Sequence, residues 1–191
     1  IELGKSEYDA KAKEKANEIL GNVIIMIIGF SLVLSVFFYL FKEPILLAFG
    51  ASENTLPFAK DYLEIYLIGT LFVQISIGLN PFISCQGFAK TAMASVIIGA
   101  VANIILDPIF IFGLNLGVRG AAFATIISQG ISAIWIIRFL ASKKSALPLS
   151  VKIIRFRPKI IGKISSLGIS PFIMQSTESA IFVVFNSGLQ K

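Results

Sequence analysis

Residues 23–41 read VIIMIIGFSLVLSVFFYLF, nineteen consecutive positions without a charge, closed by Lys42, Glu43 and Pro44. The hydrocarbon core of a bilayer takes about 20 apolar residues in a helix. One such run could still be the centre of a large soluble core, so the reading depends on its neighbours. Residues 65–85 carry no charge, residues 91–113 carry only Asp107, and residues 120–138 are uncharged until Arg138. Residues 164–191 hold Glu178 alone before the final Lys191. Alternation with a period of two is absent, and the runs are about twice the length of a barrel strand. Helices also satisfy every backbone group within the segment, as lipid demands. The expectation is an all-α, polytopic membrane helix bundle with five spanning helices.

Composition agrees. Of 191 residues, 55% are hydrophobic and 15% charged, and the mean hydropathy is +0.84. A soluble domain is about 25% charged, so these charges are too few to cover a water-facing surface. Cys85 is the one cysteine and there is no histidine, which excludes an intrachain disulfide and a zinc site built on His or several Cys. Cys85 reads as a small packing residue. There is no Gly-rich phosphate loop and no Ser/His or Cys/His pair, so the chain reads as neither a nucleotide hydrolase nor any other enzyme, with no resident cofactor. The chain opens on Ile1 and a charged stretch, unlike a secretory signal. The expectation is part of a longer chain, whose missing remainder is its first partner.

Orientation follows from Lys and Arg alone. Lys5, Lys11, Lys13, Lys15, Lys90 and eight residues of the loop 138–163 fall in one alternate set of exposed segments; Lys42, Lys60, Arg119 and Lys191 fall in the other. Residues 1–21 and 138–163 are therefore expected to be cytoplasmic. The net charge of +6 could suggest nucleic acid. Its concentration in one inter-helix loop, whose Val151, Ile153, Ile154 and Phe156 form an apolar strip, points to the lipid bilayer instead.

Two acids lie inside hydrophobic spans, Asp107 and Glu178. An acid at mid-membrane costs on the order of 2.5–3.5 kcal/mol, so such residues face a cavity or a partner. At about 1.5 Å per residue, Asp107 is about 9 Å from the outer end of its helix at Gly113, and Glu178 about 21 Å from the cytoplasmic end of its own. Asn103 lies one turn before Asp107 on the same face. Pro108 cannot donate a backbone N–H, which frees a carbonyl one turn back and predicts a helix kink. Thr125 is about 7 Å into the next helix, close to the depth of Asp107 if the two pack antiparallel. Carboxylate, amide, hydroxyl and freed carbonyl form an oxygen set suited to H⁺ or Na⁺. Gln74, Asn80, Gln86 and Gln129 read as interhelical hydrogen-bond formers.

The pattern Asn103-Ile104-Ile105-Leu106-Asp107-Pro108-Ile109-Phe110-Ile111-Phe112-Gly113, preceded by Gln86-Gly87-Phe88-Ala89-Lys90 and followed by Gly120-Ala121-Ala122-Phe123-Ala124-Thr125, resembles helices five and six of the multidrug and toxic compound extrusion (MATE) family. Leu3-Gly4 resembles the loop leaving helix two, and Leu167-Gly168-Ile169-Ser170-Pro171 the start of helix seven. The resemblance runs essentially from end to end and implies under half of a twelve-helix transporter. Residues 1–163 would belong to the first six-helix lobe, with spans near 23–41, 65–85, 91–113 and 120–138, and residues 164–191 would begin the second. It further implies cation-coupled export of amphipathic, often cationic, small organic compounds across the inner membrane by alternating access. In the branch named for DNA-damage-inducible protein F, a cation site uses an Asn and an Asp on helix five and a Thr on helix six, matching Asn103, Asp107 and Thr125. Its remaining acid, on helix one, falls outside this sequence. Glu178 is similar in placement to a helix-seven acid of other members, a second substrate or proton-coupling candidate.

Three rival readings stand beside this one. A flippase of lipid-linked oligosaccharide or peptidoglycan precursors would keep the fold but line its cavity with cations, and the span interiors hold no Lys or Arg. A membrane enzyme would need Asp107 and Glu178 within hydrogen-bonding reach. An inactive transporter fragment is the third.

Overall fold

The computed structural model describes residues 2–150 and 153–189, so Val151, Lys152 and Lys191 lie outside the described residues. The described chain is helical with no strand. It runs as α1 (Glu2–Leu40), α2 (Lys42–Ala48), α3 (Leu56–Ile68), α4 (Thr70–Cys85), α5 (Ala89–Pro108), a π turn (Ile109–Gly113), α6 (Gly117–Leu140) and α7 (Pro158–Leu189).

The breaks follow local chemistry. At Gly69 the Gly69 N–H bonds to Tyr66 O and the Phe72 N–H to Gly69 O, each at 2.9 Å. These three-residue steps tighten the chain, and α3 and α4 meet at 57°. Gly87 ends α4 with φ +86°. The Phe88 and Gly87 N–H groups then reach back to Ile83 and Ser84 O, the glycine-terminated helix stop that closes orphan carbonyls and starts α5 at once. After Pro108 the Leu114 N–H reaches Ile109 O, five residues back, at 2.9 Å. The helix thus continues past Pro108 as a π turn, a five-residue register common at functional sites, and Ala89–Gly113 stays one continuous span.

α6 is the centre. It packs against α3, α4, α5 and the π turn, and its buried face is small along most of its length, Gly120, Ala122, Ala124, Ser128, Gly130, Ser132 and Ala133, with Ile136 and Leu140 at its end. Small faces let helices approach where lipid removes the hydrophobic drive. At Gly120 the approach is backbone to backbone, since a Cβ there would lie 2.6 Å from the Phe110 carbonyl oxygen. The apolar core sits towards one end, where Leu20, Ile27, Leu79, Ile83, Ala92, Ile136 and Leu140 meet from α1, α4, α5 and α6.

Among the described residues three helices are long and apolar enough to cross a membrane: Ala10–Leu40, Ala89–Gly113 and Val118–Leu140. Leu56–Ile68 with Thr70–Cys85 makes a fourth if the bent pair is one span. The all-α membrane bundle therefore stands with fewer clear spans than the five expected. The expected 65–85 span begins nine residues earlier and is broken at Gly69. The expected 164–191 span is helical over its described residues to Leu189, but Gln175, Ser176, Thr177, Glu178 and Ser179 interrupt its apolar character.

Contacts sort the connections to two ends. At one end Arg157 pairs with Glu18, its N–H donates to Asn22 Oδ1 at 2.8 Å, and Gln86 Oε1 accepts from the Ala146 N–H at 2.7 Å. At the other, Arg119 pairs with Asp61 at 3.0 Å, Lys60 with Glu43 at 2.7 Å, and Lys42 with Glu64. Residues 18–22, 85–90, 138–150 and 153–157 thus share one end, the grouping that alternation of the basic residues requires.

Candidate functional site

A cleft of about 680 Å³ opens between α4, α5 and α6. Its walls carry hydroxyls, amides and small residues, and no charged side chain among the described residues lines it. Near the middle, Asn80 on α4 donates to Ser95 Oγ at 2.7 Å and to Ala92 O at 3.0 Å on α5. Ser132 on α6 donates to Ser95 O at 2.6 Å, so three helices are sewn together by groups that would cost dearly if left unpaired in lipid. Ser128 and Thr125 donate back to Ala124 O at 2.7 Å and Ala121 O at 2.9 Å on their own helix. These hydroxyl oxygens keep acceptor capacity.

Towards the end opposite the core, Asn103 and Thr125 face each other across the cleft, one from α5 and one from α6. Asn103 Nδ2 donates to Asp107 Oδ1 at 3.3 Å. Asp107 lies half-buried one turn further along α5, just before the π turn. Tyr62 on α3 brings its hydroxyl to 3.5 Å from Thr125 Oγ1. The structure therefore couples Asn103 to Asp107 directly and places Thr125 on the facing wall of the same cleft. Asp107 itself does not line the cleft, but the Asn103–Asp107 pair can hold a proton on the carboxylate or offer its oxygens to a hard cation. No cluster of three or more His, Cys, Asp and Glu occurs among the described residues.

Glu178 is placed elsewhere. It accepts a 2.9 Å hydrogen bond from Gln175 on its own helix, and α7 packs against α1. Asn80 makes the interhelical bonds its sequence position suggested. Gln86 instead holds the loop after α6 through Ser145 Oγ at 3.0 Å and the Ala146 N–H. Cys85 corrects the packing assignment: it is exposed and lines the cleft near its core-side end. As the last residue of α4, it turns its side chain into the open cleft rather than into a helix interface.

Tyr62 and the serines of the ladder were not singled out by the sequence. Ser128 and Ser132 stand four apart on α6, as Ser95 and Gly99 do on α5; that spacing is a visible signal for a polar face once the two helices are known to be adjacent.

A family model described as MatE matches residues 6–109. The chain belongs to the MatE family. Multidrug export protein MepA of Staphylococcus haemolyticus (strain JCSC1435) is 34% identical over 143 residues, which are 75% of this chain and 32% of that protein. MepA of Staphylococcus aureus (strain NCTC 8325 / PS 47) is 27% identical over 172 residues, 90% of this chain and 37% of that protein. The chain thus spans about a third of the length of the curated relatives it matches. An outward-facing multidrug resistance MATE family transporter of the MOP superfamily superposes with a TM-score of 0.81, at 24% identity over 90% of this chain and 38% of its own. That likeness shows the fold. The relatives are export proteins rather than enzymes, and the apolar helices make this MatE chain a membrane protein.

Proposed function

We propose that this chain is part of a cation-coupled antiporter that exports amphipathic, often cationic, drugs and toxic compounds across the inner membrane by alternating access. Residues 1–163 belong to its first lobe, and residues 164–191 begin the second. The observation that carries the reading is the Asn103–Asp107 hydrogen bond at the head of an uncharged polar cleft. A cleft without fixed positive charge admits an organic cation, and an acid beside it supplies the one site where a coupling ion can change the local charge.

Asp107 takes up H⁺ or Na⁺ from outside, and this neutralises a carboxylate that lipid surroundings disfavour. Asn103 holds the carboxylate in place, and Thr125 supplies a facing oxygen. The π turn after Pro108 is the compliant point, because its backbone bonds are already off the α register. Changing the charge at Asp107 repacks this turn against Gly120 and so alters the cleft's outer end. One charge moving inward through 100 mV supplies about 2.3 kcal/mol, which drives the cycle.

The test is dye efflux from vesicles holding the full-length transporter, under an imposed H⁺ gradient and then an imposed Na⁺ gradient. Asp107→Asn is expected to fall to the level of empty vesicles while inserting normally, and the gradient that drives the wild type names the ion. Undiminished efflux in Asp107→Asn would remove Asp107 from coupling. Absent wild-type efflux with flipping of lipid-linked precursors would overturn drug export in favour of a flippase.

A further inference from the structure

On the other side of the α5–α6 seam lies a groove of about 740 Å³ that the cleft does not include. Its floor is apolar, formed by Ile98 of α5 with Ile131 and Ile134 of α6, and Ile131 and Ile134 are exposed. Trp135 stands beside them, 41% exposed, and its Nε1–H donates to Thr91 O at 3.3 Å. Phe88 and Phe139 pack edge to face, with ring centroids 5.0 Å apart. At the mouth stand Arg138 and Lys144. Neither makes an ion pair with a described residue, and the whole segment 138–163 contains no acid.

The mouth is also held in place. Leu149 N–H bonds to Leu140 O at 2.8 Å, folding the loop back onto the end of α6. Ser145 is buried, and Gln86 Oε1 accepts from both the Ser145 hydroxyl and the Ala146 N–H. Ser142 Oγ caps Lys144 N at 3.3 Å. Lys144 therefore projects from a fastened turn, not from a free tail.

We infer that this groove binds an anionic phospholipid of the cytoplasmic leaflet, with an acyl chain along Ile98, Ile131 and Ile134 and the phosphate between Arg138 and Lys144. Each part has the chemistry of one part of the lipid. The isoleucines match the hydrocarbon chain, and Trp135 is the amphipathic ring that sits at headgroup level. The two unpaired cations match a net negative headgroup, as basic pockets between helices at the cytoplasmic face do. A zwitterionic lipid would bring its own ammonium against them, so charge selects the anionic class. The inference is independent of the transport reading, because it concerns the opposite wall of the seam.

The test uses the full-length transporter in phosphatidylcholine vesicles doped with phosphatidylglycerol or phosphatidylcholine brominated on the acyl chain. The difference between wild type and Trp135→Phe isolates the emission of Trp135. Brominated phosphatidylglycerol is expected to quench that emission several-fold more strongly than brominated phosphatidylcholine. The preference is expected to vanish in Arg138→Gln/Lys144→Gln, and to survive in the charge-keeping Arg138→Lys/Lys144→Arg. Six basic residues of the loop remain in the neutralised variant, and all eight in the charge-keeping one, to hold orientation. Rising salt should erode the preference in the wild type, a readout that needs no variant. Equal quenching by the two lipids, or a preference that persists in the neutralised variant, would overturn the inference. Displacement of the lipid by inorganic phosphate would show a soluble-anion site and overturn the lipid assignment.

Discussion

Asn103 spends one amide hydrogen on Asp107 at 3.3 Å, which leaves its own oxygen available to a second group. That division separates the roles of the two residues. In the proposed mechanism Asp107 carries the charge that changes, while Asn103 positions it and contributes a neutral ligand. Asn103→Ala is therefore expected to shift the pH or Na⁺ concentration at half-maximal efflux while retaining coupled transport. An unshifted midpoint would detach Asn103 from the ion. The pair was legible in the sequence because its geometry is local, four residues along one helix. The Tyr62–Thr125 approach was not, because it spans 63 positions and depends on where α3 lies. A different residue-scale demand acts at Gly120, where a methyl group would meet the Phe110 backbone. Gly120→Ala should destabilise the purified transporter by roughly 1–3 kcal/mol, the usual cost of overpacking, seen as a lower Tm. Gly29, with open space around it, provides the control: Gly29→Ala should leave Tm unchanged or raise it, as helix propensity predicts.

Among the elements, the bent pair α3–α4 departs furthest from a plain hydrophobic run. Charge counting starts the span at residue 65 because Glu64 is the last charge before the run, with Asp61 one turn earlier on α3. Both acids instead have cationic partners, Arg119 and Lys42, so polar residues continue down α3 while the helix stays packed on α6. The bend at Gly69 was hidden for another reason: a glycine inside an apolar stretch does not show on its own that a neighbour sits where its side chain would be, as Ile126 does here. Charge pairing at this end makes a pH statement. The hydrogen bond from Lys60 holds Glu43 below the usual glutamate range, so what the pair contributes is present at neutral pH. It is lost as pH falls through that lowered value. The bond to Glu64 raises Lys42 above the usual lysine range, so its contribution is lost only as pH rises through the raised value. Both pairs are partly exposed and each is worth little alone. Glu43→Gln should accordingly flatten a small acid-side fall in Tm and leave the alkaline side as it was. An acid-side slope equal to that of the wild type would mean the pair does not stabilise the fold.

For the molecule as a whole, the two ends fix how the cleft meets the compartments. The core, the basic loop after α6 and the α4–α5 stop share one end, while Asn103, Thr125 and the ion-paired α2–α3 region lie towards the other. Sequence alone could sort the loops into two sets, because insertion leaves its record in Lys and Arg. It could not say which faces of the helices enclose a cleft, since that depends on pairings between α4, α5 and α6 that no single periodicity carries. Cys85 reports on this arrangement directly. It is exposed, lines the cleft and sits at the end shared with the basic loop. In a full-length transporter whose other cysteines are replaced, a membrane-impermeant maleimide should label Cys85 from the cytoplasmic side, and an organic cation that is exported should slow the labelling by occupying the cleft. Labelling from the external side alone would invert the orientation. Labelling from the cytoplasm that no exported cation slows would keep the orientation and place the substrate on a path other than this cleft.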